Sequence, residues 1–373
     1  MSHRMSQSEP VRLMTVVGAR PQFIKASAIS RAVEGRSDLS DVIIHTGQHF
    51  DANMSRVFFD ELAIPEPAVN LGISGGSHGQ MTGRMLVALE EEVSRRQPDA
   101  VIVHGDTNST LAGALVAAKL HIPVIHVEAG LRSFNRQMPE EINRVLADRL
   151  ADLLLCPTPT AVENLRAEGI TDGVLLTGDV MYDSALHFMR LARERSDVLE
   201  RLGLAEGGYY LATIHRAENT DDATRLRGIL SALGAARRTV VLPLHPRTRL
   251  TMEKTGLDPG RILLTEPVSY LDMLRLEAGA RVILTDSGGV QKEAYFAAVP
   301  CVTLRGETEW VELVQAGWNR VAGADPAAIA EAVAWAEERD RTPPEEPLYG
   351  DGHAAERIVE ALIERRGPPG TAL

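Results

Sequence analysis

Two consecutive apolar runs of this chain each end in an acid beside glycine. Val101-Ile102-Val103-His104-Gly105-Asp106 ends in Asp106, and Val124-Ile125-His126-Val127-Glu128-Ala129-Gly130 carries Glu128. Far downstream a third run ends in Thr285-Asp286-Ser287-Gly288-Gly289. Unbroken apolar runs of this length read as buried parallel strands. In such sheets the carboxyl ends of the strands open onto the ligand crevice. Two carboxylates and a Ser-Gly-Gly turn at strand ends therefore predict acid/base chemistry beside a bound phosphate. Asp106-Thr107-Asn108-Ser109 also reads as a helix cap. Yet two acids on neighbouring strand ends repel, which raises at least one pKa toward a catalytically useful value.

Three further stretches could join them. In Gly18-Ala19-Arg20-Pro21-Gln22-Phe23-Ile24-Lys25 a strand runs into a glycine turn and then a helix, with Pro21 near its first position. Arg20 and Lys25 lie near that helix N-terminus, where backbone N–H groups favour an anion such as a diphosphate. The Gly-x-Gly-x-x-Gly dinucleotide fingerprint is absent. In Asp286-Ser287-Gly288-Gly289-Val290-Gln291-Lys292-Glu293 the glycines admit a ligand close to the backbone, and Ser287 caps a helix and donates to a phosphate. Glu293 falls about two turns on, placed to accept from ribose hydroxyls. In Met138-Pro139-Glu140-Glu141, Pro139 starts a helix and Glu140 sits in its first turn, as a cap or a catalyst. His215, at a strand end beside Arg216, is a candidate acid. His45, His49, His104, His126 and His245 are scattered over strands and turns and carry less signal. No His/Cys/Asp cluster has zinc spacing, so neither a metal nor another cofactor is expected.

The elements that must position these residues follow a strand, turn, helix rhythm. Strands are predicted at 12–17, 42–45, 100–103, 124–127, 153–156 and 174–176, with helices at 80–96 and 109–120 between them. A second series has strands at 209–213, 239–243, 261–264, 282–284 and 301–304. This is the signature of βαβ units around parallel sheets. A charged helical stretch at 182–202 links the two series, and residues 354–365 read as an amphipathic helix after a loop at 343–347. The expected organisation is a leader at 1–10, a first Rossmann-like domain at 11–181 and a second at 182–350.

Composition narrows the function further. The chain has 373 residues, 44% apolar and 24% charged, with a formal net charge of −12 and no long basic run. Nucleic acid and anionic membrane are therefore excluded as expected partners. An anionic ligand must meet a local basic pocket. The two cysteines, Cys156 and Cys301, read as reduced buried thiols, a disulfide being the alternative. The first ten residues lack the apolar core of a signal peptide, and no apolar run is long enough to span a bilayer. A cytoplasmic location is expected.

Taken together, Gly-Ala-Arg-Pro-x-x-Ile-Lys (18–25), His-Gly-Asp-Thr (104–107), His-Val-Glu-Ala-Gly-Leu-Arg (126–132), Pro-Glu-Glu-x-Asn-Arg (139–144), Thr-x-His-Arg (213–216) and Thr-Asp-Ser-Gly-Gly-x-Gln-x-Glu (285–293) resemble the non-hydrolysing UDP-N-acetylglucosamine 2-epimerase family. Tyr349-Gly350-Asp351-Gly352 and the helix after it fit the same pattern. The resemblance implies an α/β fold like the GT-B glycosyltransferases: two Rossmann-like domains with parallel sheets facing a central cleft, the last helix (about 353–366) crossing back to the first domain. It implies inversion at C2 of a UDP-activated sugar, UDP-GlcNAc to UDP-ManNAc, for bacterial surface polysaccharide precursors. UDP is eliminated with loss of the C2 proton, then re-added to the glycal with the proton delivered to the other face. By match to the family's motifs, Asp106, Glu128 and Glu140 are the acid/base candidates and His215 assists the leaving diphosphate. Arg20, Lys25, Ser287, Gly288, Gly289 and Glu293 hold UDP. A homodimer is the expected assembly.

Three departures stand out. Where the family reads Thr-Glu-Arg-Pro-Glu, this chain has Thr308-Glu309-Trp310-Val311-Glu312, so Trp310 replaces an arginine, with Arg305 a possible substitute. Gln48-His49-Phe50-Asp51 puts an acid into the family's effector site, where it opposes a diphosphate. The stretch 46–54 resembles a branch that acts on UDP-2,3-diacetamido-glucuronic acid or UDP-N-acetyl-6-deoxyhexoses. Epimerisation of such a UDP sugar is the alternative reading. A hydrolysing 2-epimerase or a glycosyltransferase of the same fold is more distant.

Overall fold

The computed structural model describes residues 10–48, 59, 64–342 and 347–365. Residues 1–9 of the expected leader, residues 49–54 of the effector-site and branch motifs, positions 343–346 and the tail beyond 365 lie outside the described residues. The chain divides into two compact units, Met1–Ser184 with Leu348–Leu373, and Ala185–Pro347.

The first unit holds seven strands: β1 (Val11–Val17), β2 (Leu39–His45), β3 (Val69–Asn70), β4 (Ala100–His104), β5 (Val124–Val127), β6 (Leu153–Cys156) and β7 (Val174–Leu176). They form one sheet in the order β3-β2-β1-β4-β5-β6-β7, every pair parallel. β4, β5 and β6 are buried along their whole length. That is why their sequences run apolar instead of alternating. Apolar clusters cover both faces. One, with Ile29, Ile102, Leu155, Ile358 and Leu362, includes the helix Ala354–Glu364. The other, with Met85, Leu89, Val101 and Val116, packs under the helices His78–Arg96 and Asn108–Lys119.

The second unit repeats the plan with β8 (Tyr209–Thr213), β9 (Thr239–Pro243), β10 (Leu263–Thr265), β11 (Val282–Thr285), β12 (Cys301–Thr303) and β13 (Asn319–Val321). The order is β10-β9-β8-β11-β12-β13, again all parallel. β3 and β13, two and three residues long, were not expected from sequence. Runs that short carry no period.

Both sheets reverse their strand order once, between β1 and β4 and between β8 and β11. Such a switch point is where a doubly wound sheet binds ligand. The loops at these two points are 18–19, leading into the helix Arg20–Val33, and 105–107 in the first unit, and 214–216 and 286–287, leading into the helix Gly288–Phe296, in the second. Cys156 and Cys301 are both buried and free. Among the described residues no helix is long and apolar enough to cross a membrane.

Candidate active site

In the first unit the glycine turn after β1 is fixed from below by Gln22. Its buried Oε1 accepts from the N–H groups of Gly18 (2.7 Å) and Ala19 (3.1 Å), while its Nε2 donates to the His104 carbonyl (2.7 Å). This ties the β1 turn to the end of β4. A Cβ on Gly18 would stand 2.0 Å from Ser109 Oγ, so glycine is required for the helix Asn108–Lys119 to pack there. Arg20 is the first residue of the helix Arg20–Val33, and Lys25 lies one turn further on.

The ammonium of Lys25 pairs with the carboxylate of Glu128. Burial opposes the lysine's charge, but Glu128 outweighs it and the pKa is raised. Glu128 has φ +71, a left-handed conformation rare for a residue with a side chain. Its N–H and that of Ala129 both donate to the Leu155 carbonyl, each at 3.1 Å, which pins the kink. Backbone strain of this kind costs on the order of 1–3 kcal/mol and gathers at functional sites. The kink lays the carboxylate over Gly105: a Cβ on that glycine would stand 3.3 Å from Glu128 Oε2. The two strand-end acids are therefore neighbours in space.

Asp106 is half-buried and ion-paired to Arg144. Burial is the largest influence on its carboxyl. Arg144 opposes it, the Glu128 charge reinforces it, and the net pKa is raised above the usual aspartate range. Repulsion between the acids is thus present but second to desolvation. The cap of the next helix is Thr107, whose Oγ1 accepts from Thr110 N (3.2 Å), which leaves the Asp106 side chain free of that task. Glu140 and Glu141 divide differently. Glu140 is exposed in the first turn of the helix Pro139–Leu150. Glu141 is buried and accepts from Ser133 N, Ser133 Oγ and Phe134 N at 2.9–3.0 Å, holding the loop before the helix. Asn143 Nδ2 donates to the Asp106 carbonyl (2.9 Å). Arg144 and Asn143 lie inside the 139–144 motif, so the motif marks them, but their partnership with Asp106 needs the fold.

In the second unit the buried carboxylate of Asp286 organises the switch point. It accepts from the backbone N–H of His215 (3.1 Å to each oxygen) and Arg216 (3.0 Å), and from Asn219 Nδ2 (3.1 Å). The His215 ring, its Nδ1 3.5 Å from Asp286 Oδ1, is partly exposed. Burial lowers its pKa, Asp286 works against that, and His245 and Arg216 add to the lowering. Ser287 caps the helix Gly288–Phe296 by accepting from Val290 N (3.4 Å). At Gly288 a Cβ would stand 2.2 Å from Glu309 Oε1, so a larger residue would displace that carboxylate. Gly289 next to it is exposed. Glu309 is paired to Arg305 (2.8 Å), with Arg216 3.9 Å away, so two guanidinium groups gather beside the turn. Trp310 Nε1 donates to the Gly288 carbonyl (2.9 Å), and Lys292 Nζ lies 4.5 Å from its ring centroid. The indole latches the glycine turn while the cation sits on its face.

Glu293 is buried and accepts from Tyr270 Oη (3.2 Å). Near it lies Glu277, fully buried, with neither carboxyl oxygen hydrogen-bonded among the described residues. Burial first, and the Glu293 charge second, push its pKa well up and favour the neutral acid. A group protonated in the folded protein and ionised in the unfolded chain weakens folding increasingly as pH rises from the ordinary value of 4.5 toward the folded one. Glu277→Met is therefore expected to raise the melting temperature, by about 2–4 °C for each kcal/mol gained, and to do so more at pH 8 than at pH 5. An equal or larger gain at pH 5, read by calorimetry, contradicts a neutral Glu277.

Residues 31–363 match the family profile described as UDP-N-acetylglucosamine 2-epimerase. The chain is 51% identical over 362 residues to the UDP-2,3-diacetamido-2,3-dideoxy-D-glucuronate 2-epimerase of Pseudomonas aeruginosa, spanning 95% of this chain and 100% of that one. Its fold matches the crystal structure of Methanocaldococcus jannaschii UDP-GlcNAc 2-epimerase in complex with UDP-GlcNAc and UDP. The TM-score is 0.85 at 42% identity, over 95% of this chain and 99% of that one. The structure of the Neisseria meningitidis UDP-GlcNAc 2-epimerase bound to UDP-GlcNAc matches with a TM-score of 0.82 at 28% identity, over 95% and 100% of the two chains.

Proposed function

This chain belongs to the UDP-N-acetylglucosamine 2-epimerase family, and we propose that it is an isomerase that inverts C2 of a UDP-activated 2-acetamido sugar by eliminating UDP and adding it back. The observation that carries this reading is the meeting of Glu128 and Asp106 at one switch point, each held by its own cation, Lys25 and Arg144. A C2 proton is weakly acidic, so its removal needs a fixed carboxylate base, and its return on the other face needs a second acid/base group. Two carboxylates in unlike surroundings supply both roles. Glu140, exposed nearby in sequence, is the third candidate. The second unit supplies what a departing diphosphate requires: the capped start of the helix at Ser287, Gly288 and Gly289, the half-exposed His215, and Arg305 beside Glu309. Glu293 is assigned to the ribose, and Arg20 to the diphosphate.

UDP-GlcNAc, interconverted with UDP-ManNAc, is the first substrate of this reading. A second reading, UDP-2,3-diacetamido-2,3-dideoxy-D-glucuronate, is favoured by one observation. The chain is more similar to the Pseudomonas aeruginosa enzyme of that name, at 51% identity, than to the Methanocaldococcus jannaschii UDP-N-acetylglucosamine 2-epimerase, at 42%. Each UDP sugar is to be incubated separately with the enzyme and its anomeric proton followed by NMR. The C2 epimer of one or both is expected, and the faster one is the substrate. An enzyme that epimerises neither contradicts the reading. A homodimer and a cytoplasmic location belong to the same proposal, and light scattering tests the first.

Binding separates the two sets of residues. Arg20→Ala is expected to weaken UDP by roughly tenfold, the worth of one charge-assisted hydrogen bond, while Glu128→Gln leaves UDP affinity nearly unchanged. Calorimetric titration with UDP checks this. The reverse order contradicts the assignment of Arg20 to the diphosphate.

A further inference from the structure

His126 lies in the middle of β5, fully buried, two residues before Glu128. Both of its ring nitrogens face acceptors. Nδ1 is 2.7 Å from Asp148 Oδ1, and Nε2 is 2.7 Å from the carbonyl of Gly105. A carbonyl oxygen has no proton to give, so the Nε2 contact is a hydrogen bond only if Nε2 carries one. A second proton on Nδ1 then completes a charged bond to the carboxylate. Asp148 in turn accepts from Arg132 Nη1 (2.7 Å) and Gly130 N, and Arg132 Nε and Nη2 bond to Glu168 (2.6 and 2.9 Å). The neighbouring His104 is the opposite case. It is fully buried with neither nitrogen hydrogen-bonded among the described residues, and burial, with Lys25 and His126 adding, takes its pKa down to about 3.

We propose that His126 is a permanently charged positioning residue, an imidazolium that joins the three segments bearing Asp106, Glu128 and Glu140 and sets the charge against which the two strand-end carboxylates titrate. Its Nε2–H holds the carbonyl of Gly105, the residue before Asp106. Its Nδ1–H holds Asp148, on the same helix as Glu140, Asn143 and Arg144. Its own strand leads directly into the kink at Glu128. The charged groups around it are Asp148 and Arg132, Glu128 at its strand end and Lys25 beyond Glu128. His104 on β4 is neutral, and the Cys156 thiol on β6 is pushed up to about 12 by burial and, less, by Asp148. Burial works against a charge on His126. The Asp148 carboxylate outweighs it, helped by the Gly105 carbonyl and Glu128, and raises the pKa above the ordinary 6.5. Asp148, despite its burial, is held below the usual carboxylate range by His126 and Arg132. The catalytic half of the proposal rests on the reaction assigned above.

The charge is read directly by long-range proton–nitrogen NMR on histidine-labelled enzyme, with His126 identified by the signals that vanish in His126→Gln. At pH 8, where an ordinary histidine of pKa about 6.5 is almost wholly neutral, both nitrogens of His126 are expected in the protonated range. A neutral tautomer at that pH overturns the proposal. No substrate is needed, so an inactive enzyme with a cationic His126 would count against the reaction and not against the charge. In turnover, His126→Gln keeps a donor near the Gly105 carbonyl but removes the charge. The acidic limb of the pH profile of kcat/KM is then expected to move up by about one unit, because the carboxylates lose a neighbouring cation. Asp148→Asn, which releases the second proton from the ring, is expected to move the limb the same way. A fall in activity with an unmoved limb in both variants assigns His126 a merely structural part and overturns the proposal.

Discussion

Glu128→Gln is expected to lower kcat by roughly two or more orders of magnitude, with the protein folded and UDP still bound. The substitution keeps the size and the left-handed backbone of the residue but removes the base. The Lys25 ammonium, paired with Glu128 in the wild type, then loses its anion. That neighbouring cation, no longer balanced by Glu128, lowers the Asp106 carboxyl, so the second acid/base group cannot stand in for the first. Asp106→Asn is expected to fall by a similar factor from the other side, since it removes the carboxyl that burial and the Glu128 charge favour in its protonated form more than an ordinary aspartate. Steady-state turnover by NMR checks both. Wild-type rates in either variant contradict the assignment of that residue.

Asp286→Ala is expected to damage fold and function together. The carboxylate is completely buried and takes two backbone N–H groups, from His215 and Arg216, and one side-chain amide, from Asn219. Asn219 also donates to the Leu304 carbonyl (2.8 Å), so the same contacts tie the ends of β8 and β11 to the chain leaving β12. Removing the acceptor leaves buried donors without a partner, a loss of about 3–5 kcal/mol in stability. The His215 turn loses its anchor as well. Asp286→Asn separates the two effects. It keeps one accepting oxygen and the size of the side chain, so most of the stability is expected to remain while kcat falls. Thermal melts beside turnover read the two quantities. An Asp286→Ala protein that melts like the wild type contradicts the anchoring role.

Much of this was legible in the chain because parallel strands are buried on both faces. β5, β6, β7, β8 and β9 fall at the residues their apolar runs marked, and the acids and glycines that interrupt those runs stand at the strand ends. β10 is later than its apolar run, at Leu263–Thr265, since residues 261 and 262 belong to the turn before it. What the sequence hid are contacts between distant positions. His126 and Asp148 are 22 residues apart, and Arg144 and Asp106 are 38 apart. No local period announces such pairs, and a histidine inside an apolar run looks the same whether charged or neutral. His104 and His126 show the point: adjacent strands, equal burial, one neutral and one charged. Trp310 is a further case. Its departure from the family's arginine suggested a lost cation, whereas the fold places Arg305 and Arg216 around Glu309 and uses the indole to hold Gly288.

The measurement that bears most directly on the central claim is a time course in deuterated water with the sugar that the enzyme epimerises fastest, followed at C2 by NMR. Removal of the C2 proton by a carboxylate whose proton exchanges with water predicts deuterium at C2 in the product and, as the reaction runs back, in the remaining substrate, with little free UDP accumulating. Glu128→Gln should slow this exchange in step with turnover. Epimer formed with its original C2 proton intact, or UDP released in equal amount with product, would contradict the account.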